Sequence, residues 1–99
     1  MKNIISNLDK AFDNRIRLGI MSILMVNESV DFTTMKELLN LTDGNLASHI
    51  SALEKIEYIT VNKQFIGKKP NTTFSSTKIG KKAFSTHLDN LEDLIKNNK

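Results

Sequence analysis

Residues 41–55 read Leu41-Thr42-Asp43-Gly44-Asn45-Leu46-Ala47-Ser48-His49-Ile50-Ser51-Ala52-Leu53-Glu54-Lys55, and the reading of the whole chain turns on them. Thr42-Asp43-Gly44 combines turn formers with helix-capping side chains, so it serves as a turn and as a helix start. Leu46, Ile50, Leu53 and Ile56 then recur at i, i+4, i+7 and i+10, a single apolar stripe. The other face, Asn45, Ser48, His49, Ser51, Ala52 and Lys55, is small, polar and mostly uncharged. The spacing predicts a helix over about 43–56.

Upstream, Thr33 or Thr34 is placed to cap a short helix from Met35 to about Leu41, with Glu37 at capping-box distance from Thr34. Val30-Asp31-Phe32 is β-prone and alternating, a minimal strand after the turn Asn27-Glu28-Ser29. Before that turn, Ile16, Ile20, Ile23 and Leu24 form one stripe, and Leu18, Met21 and Met25 a second. A helix apolar over most of its circumference belongs at the centre of a small domain or against a partner. Asp13 or Asn14 is its expected N-cap. Ile4, Ile5, Leu8, Ala11 and Phe12 keep helical spacing and predict one more amphipathic helix at the N-terminus.

Downstream of Glu57 the period changes to two. Tyr58, Ile59, Val61, Phe65 and Ile66 read as a strand, Gly67-Lys68-Lys69-Pro70-Asn71 as a loop, and Thr72-Thr73-Phe74-Ser75 as the returning strand with Phe74 inward. Thr77 caps a last helix of about twenty residues, whose Ile79, Ala83, Phe84, Leu88, Leu91, Leu94 and Ile95 fall near heptad spacing. The chain is expected to be mainly α with a small β-hairpin (α+β). Helix, small strand, helix, tight turn, helix, strand, basic loop, strand, helix is the winged helix-turn-helix order, here in one domain over residues 1–99.

The residues then carry a family likeness. Leu41 through Lys55, Tyr58-Ile59 leading into the hairpin, and Thr73-Phe74-Ser75-Ser76-Thr77-Lys78-Ile79-Gly80 after it resemble the MarR/ArsR-type regulators, and Asp13-Asn14-Arg15-Ile16-Arg17-Leu18 resembles the start of their first core helix. One position departs: where such proteins usually carry Gly between the recognition helix and the next strand, this chain has Glu57. The resemblance implies sequence-specific binding of double-stranded DNA by a homodimeric transcriptional regulator. The helix at 43–56 would lie in the major groove and the wing, about 63–74, on the backbone or minor groove. Thr42, Asp43, Gly44, Asn45, Ser48 and His49 would stand at the major groove, His49 being as open to a hydrogen-bonded place against the core. Asn45 suits adenine and Ser48 either base or phosphate, whereas Asp43 is better read as a cap, because phosphate repels a carboxylate. Lys63, Lys68, Lys69, Asn71 and Thr72 would serve from the wing, with Lys78, Lys81 and Lys82 in support. Arg15 and Arg17 are expected to form ion pairs with Asp9, Asp13 or the acidic end of another helix, with a phosphate contact as the lesser reading.

Charge distribution points the same way. The net charge is only +3, yet every Asp and Glu lies outside 58–88, a window holding Lys63, Lys68, Lys69, Lys78, Lys81 and Lys82. A basic segment in an otherwise acidic chain is the footprint of a polyanion contact. The absence of cysteine excludes disulfides, thiolate metal sites and a Cys nucleophile. Leu18–Val26 is too short an apolar run for a membrane span, and no signal-peptide pattern opens the chain, so a cytoplasmic protein is expected. His49 and His87 have no evident catalytic partner and no phosphate loop or metal cluster appears, so neither enzyme, cofactor nor metal is expected.

The terminal helices (1–12 and 77–97) present more apolar surface than a chain of 99 residues readily covers. Ile5, Leu8, Phe12, Phe84, His87, Leu88, Leu91 and Ile95 are therefore expected at a two-fold dimer interface. Two alternatives stay open: a winged helix used for protein–protein contact without specific DNA binding, and RNA binding, which scarce exposed aromatics disfavour. A small-molecule effector between the terminal helices and the core is neither indicated nor excluded.

Overall fold

A computed structural model describes residues 5–97 of the chain. In order they form a 3-10 turn at Lys10–Phe12, α1 (Arg15–Val26), β1 (Val30–Asp31), α2 (Phe32–Leu39), α3 (Asp43–Lys55), β2 (Ile59–Ile66), β3 (Lys69–Ser76) and α4 (Lys78–Asn97). The three strands make one antiparallel sheet in the order β1-β3-β2. Val30 pairs with Phe74 and Ile59 with Ser76, so the sheet's inner end lies over the core and the β2–β3 hairpin projects from it.

α1 is the central element, as its double stripe predicts. Ile20, Met21 and Leu24 are fully buried and pack with Met35 of α2, Leu46 and Leu53 of α3, Ile59, Phe74 and Phe84. Asn14 caps α1, its Oδ1 accepting from the Ile16 and Arg17 amides, a device worth about 1 kcal/mol. α2 begins earlier than the sequence suggested. Asp31, not Thr33 or Thr34, is its cap: the carboxylate accepts from the Thr34 amide at 2.7 Å, which holds the Asp31 pKa below its ordinary value.

The N-terminal segment is not an α-helix over the described part, and Ile4 of the expected stripe lies outside the described residues. The Leu8 and Phe12 amides each donate three residues back, to Ile5 and Asp9. The Asp9 amide, which an α-helix would need, donates instead to His87 Nδ1 at 3.1 Å. The Asp9 carboxylate accepts from the Ala11 amide and from the Tyr58 hydroxyl at 2.6 Å. Burial and that carboxylate push the Tyr58 pKa up to about 12. Phe12 thereby seats against Tyr58, Phe84 and His87, with ring centroids 5.1–5.7 Å away.

α4 starts where Thr77 ties its first turn to the backbone of Glu57 and Tyr58. Its hydroxyl donates to the Glu57 carbonyl and accepts from the Gly80 amide, and its own amide donates to the Tyr58 carbonyl. Gly80 is required by this approach, since a Cβ there would stand 2.1 Å from the Tyr58 carbonyl oxygen. Gly80, Phe84 and His87 turn inward, and half-buried Leu91 and Leu94 continue that face. The radius of gyration, 15.3 Å, exceeds the about 13 Å of a compact chain this size, because α4 and the hairpin reach beyond the core.

Candidate nucleic-acid interface

α3 is aimed by its buried stripe. With Leu46, Ile50 and Leu53 in the core, the 3.6-residue period sets Gly44, Ser48, Ser51 and Lys55 on the outermost line, and all four are exposed. Thr42 is the N-cap, its Oγ1 accepting from the Asn45 amide at 3.2 Å. Asp43 is the first helical residue, and its carboxylate pairs with Lys36 Nζ at 2.8 Å, raising the Lys36 pKa. That pairing draws the one carboxylate of the first turn sideways toward α2, away from the outer line. Nothing in the fold asks for glycine at 44: its φ is not positive and a Cβ would meet open space. The helix N-terminus is thus left bare where backbone and dipole can approach an anion.

α3 ends in a Schellman motif. The Glu57 amide donates to the Glu54 carbonyl and the Tyr58 amide to the Leu53 carbonyl, with Glu57 at φ 66°. Glu57 therefore takes the left-handed conformation that glycine supplies elsewhere. α2 closes the same way with Asn40 at φ 53°. Both helices of the helix-turn-helix are stopped by local backbone chemistry.

Of the two places open to His49, a groove contact or a hydrogen-bonded position against the core, the structure shows a hydrogen bond toward α1. The residue is half-buried, and its Nδ1 accepts from Arg17 Nε at 3.1 Å. Burial and the Arg17 charge hold its pKa below the ordinary value. Arg17 is spent on His49 rather than on Asp9 or Asp13, because the Asp9 carboxylate is taken by Tyr58 and the Ala11 amide.

The wing is more regular than the sequence suggested. Ile66 pairs with Lys69, so the turn is only Gly67-Lys68, and Lys69, Pro70 and Asn71 belong to β3. Gly67 has φ +65°, the first-position glycine of a type II′ hairpin. Pro70 is tolerated because β1 pairs only with Thr73 and Phe74, leaving β3 an edge strand at that level. Lys63, Lys68 and Lys69 are exposed, while Asn71 and Thr72 are half-buried within the strand. Lys63 and Thr72 share with Ala47, Ser51 and Glu54 of α3 a cleft of about 270 Å³ floored by Ile50, Val61 and Phe74. Helix and hairpin therefore face one another across a single groove.

Ser51 and Lys55 were missed as site residues, although the stripe opposite Leu46, Ile50 and Leu53 already marks them. The exposure of Phe65 and Ile66, read as ordinary strand positions, was also missed; the strands run past the part of the sheet that has a core beneath it. Phe12, Phe84 and His87, expected at a dimer interface, are buried by the chain's own contacts at 4%, 4% and 5% exposure. Among the described residues no group of His, Asp and Glu could hold a metal, and no helix is long and apolar enough to cross a membrane.

Comparison with known proteins agrees with this geometry. Residues 16–95 match the family described as winged helix DNA-binding domain. An uncharacterised protein of Methanocaldococcus jannaschii is 34% identical over 88 residues, 89% of this chain and 96% of its own length. A transcriptional regulator homologue from Pyrococcus horikoshii has the same fold at TM-score 0.83, with 31% identity over 94% of this chain and 90% of its own. NadR, solved in complex with 4-hydroxyphenylacetate, shares the fold at TM-score 0.72 and 16% identity, over 94% of this chain and 63% of its own. Four helices, a three-stranded antiparallel sheet and these matches together place the chain in the winged helix DNA-binding domain family.

Proposed function

We propose that the chain is a single-domain, homodimeric transcriptional regulator of the MarR/ArsR type, acting in the cytoplasm and binding specific double-stranded DNA. The observation that carries the reading is the shared groove: the outer line of α3 is small and uncharged until Lys55, and the hairpin beside it bears lysines and no acid. α3 enters the major groove, with Asn45 and Ser48 at base edges and Ser51 and Lys55 beside them. Thr42 and Gly44 present the helix N-terminus to phosphate. Lys63, Lys68 and Lys69 neutralise phosphates, with Asn71 and Thr72 along the strand. His49 acts through Arg17.

The second copy docks on the outer end of α4. Leu88 and Ile95 are 46% and 81% exposed there, with Leu91 half-covered and Ile5 and Leu8 of the N-terminal segment nearby. The dimer sets two α3 helices on one face, so the preferred site has two-fold symmetry.

Selection of genomic fragments with the purified protein tests this directly. Enriched fragments should share a two-fold symmetric motif, and the protein should sediment at twice its 11.2 kDa chain mass. Lys68→Ala/Lys69→Ala should weaken binding to every duplex and lower the salt slope by about 1.8 log units per log unit of salt. Asn45→Ala should instead erase discrimination at one base pair, about 1–3 kcal/mol. Absence of enrichment, with both variants indistinguishable from the parent, would assign the fold to protein–protein contact.

A further inference from the structure

The wing ends in apolar surface that the proposed phosphate contacts leave unused. Phe65 is 74% exposed and Ile66 65% exposed, both beside the Gly67-Lys68 turn. Phe65 is paired with Pro70 across the hairpin. Side chains alternate along a strand, so Phe65 lies on the same face as Val61 and Lys63, and Pro70 on the same face as Thr72 and Phe74. That is the face turned to the α3 groove. The fold asks for neither residue: the core ends at Ile59, Val61 and Phe74, and a type II′ turn needs only its glycine. An aromatic left exposed at the tip of a hairpin gains none of the free energy that its burial would supply.

Resting on the regulator reading above, we infer that Phe65, flanked by Pro70 across the hairpin, is a wedge that enters the minor groove and partly unstacks one base step, bending the duplex. Charge selects this occupant. Lys68 and Lys69 stand at the tip and Lys63 further down the Phe65 face; the hairpin carries no carboxylate, and Glu54 of α3 meets that face only lower down, in the cleft with Lys63 and Thr72. The partner is therefore a polyanion that also offers apolar surface within reach, and a stacked base step flanked by phosphates is both. Phe, Ile and Pro are the side chain types that act as such wedges, and flexible pyrimidine–purine steps yield to them most easily. The lysines hold the backbone on either side while the ring replaces the stacking it disrupts. This gives the wing a sequence preference that its lysines alone lack, through the deformability of the step.

The test uses the full chain and a fragment enriched in the selection above, labelled at its ends for energy transfer and carrying 2-aminopurine at successive positions under the wing. The protein should bring the ends closer and brighten 2-aminopurine at one step per bound protomer. Phe65→Ala should remove both signals from the bound complex, lower affinity by roughly tenfold or less, and leave the salt slope unchanged. Phe65→Leu should keep both signals, whereas Lys68→Ala/Lys69→Ala should lower affinity and slope while the complexes that form stay bent. Binding by the parent without bending or unstacking overturns the wedge and leaves the regulator reading intact. So does retention of both signals by Phe65→Ala. Failure to bind any duplex overturns both. Pelleting with phosphatidylglycerol vesicles that depends on Phe65, with duplex signals indifferent to it, would assign the tip to a membrane surface.

Discussion

α3 and the β2–β3 hairpin flank one groove, but they are held there by different means. α3 is fixed from beneath by Leu46, Ile50 and Leu53, at its start by Thr42 and at its end by the Schellman bonds through Glu57 and Tyr58. Tyr58 is in turn fastened to Asp9, and its carbonyl accepts from the Thr77 amide, so the end of α3 is tied to the N-terminal segment and to α4. The outer hairpin has only its own ladder, from Lys63–Thr72 out to Ile66–Lys69, and every residue from Asn62 to Pro70 is exposed. In the proposed complex a firmly held reader and a lightly anchored arm would divide the work: the helix would define the register, and the arm would adapt to the backbone beside it.

The sharpest way to break this contrast is to weaken each region and compare stability. Leu53→Ala removes a fully buried side chain directly above the Schellman junction and should cost about 2–5 kcal/mol in urea unfolding. Lys68→Ala/Lys69→Ala should change stability by about 0.5 kcal/mol or less, because both residues are exposed at the hairpin turn. A wing pair as damaging as Leu53→Ala would mean that the hairpin is built into the core after all.

The same contrast explains what the sequence disclosed. α3, α1 with its Asn14 cap, the Thr77 cap and the hairpin are legible because each is specified within a few residues by periodicity or a cap. The fold class followed from their order. Asp31 was harder to see, because it is at once the second residue of β1 and the cap of α2. The N-terminal segment kept a helical pattern but forms a 3-10 turn, since the partner of the Asp9 amide is His87, far along the chain. The same packing takes Phe12, Phe84 and His87 into the chain's own core, and an apolar stripe does not tell which copy will cover it. Arg17 and His49 meet only through the crossing of α1 and α3. Local chemistry wrote the elements, and tertiary contacts decided which polar groups were left for a ligand.

Glu57 offers a smaller effect at the junction between the two regions. A non-glycine residue at φ 66° carries a steric cost of about 1–2 kcal/mol, partly offset by its lower entropy when unfolded. Glu57→Gly keeps both Schellman bonds, which are made by the backbone, and should stabilise by up to about 1 kcal/mol. The midpoint of thermal unfolding should then rise by at most about 4–8 °C. Destabilisation instead would show that the Glu57 side chain contributes something the backbone does not.

The smallest effect separates helix from wing by pH. His49 Nδ1 accepts a hydrogen bond from Arg17 Nε, so a proton placed there must break that bond and sit beside a guanidinium in a half-buried site. The folded chain thus binds the proton more weakly than the unfolded chain, where the imidazole has its ordinary pKa of 6.5. Above that value both states are neutral at His49 and the full stability is present. As pH falls below it the unfolded chain takes up the proton first, and stability declines until the lowered pKa of the folded state is passed. His49→Gln should flatten the decline between pH 7 and 5, and Arg17→Gln should do so in part by removing the charge that resists protonation. The wing offers no matching term, because residues 59–76 contain no histidine. Lys68→Ala/Lys69→Ala should therefore keep the parent's pH profile, and a decline that survives His49→Gln would place its origin outside the α1–α3 crossing.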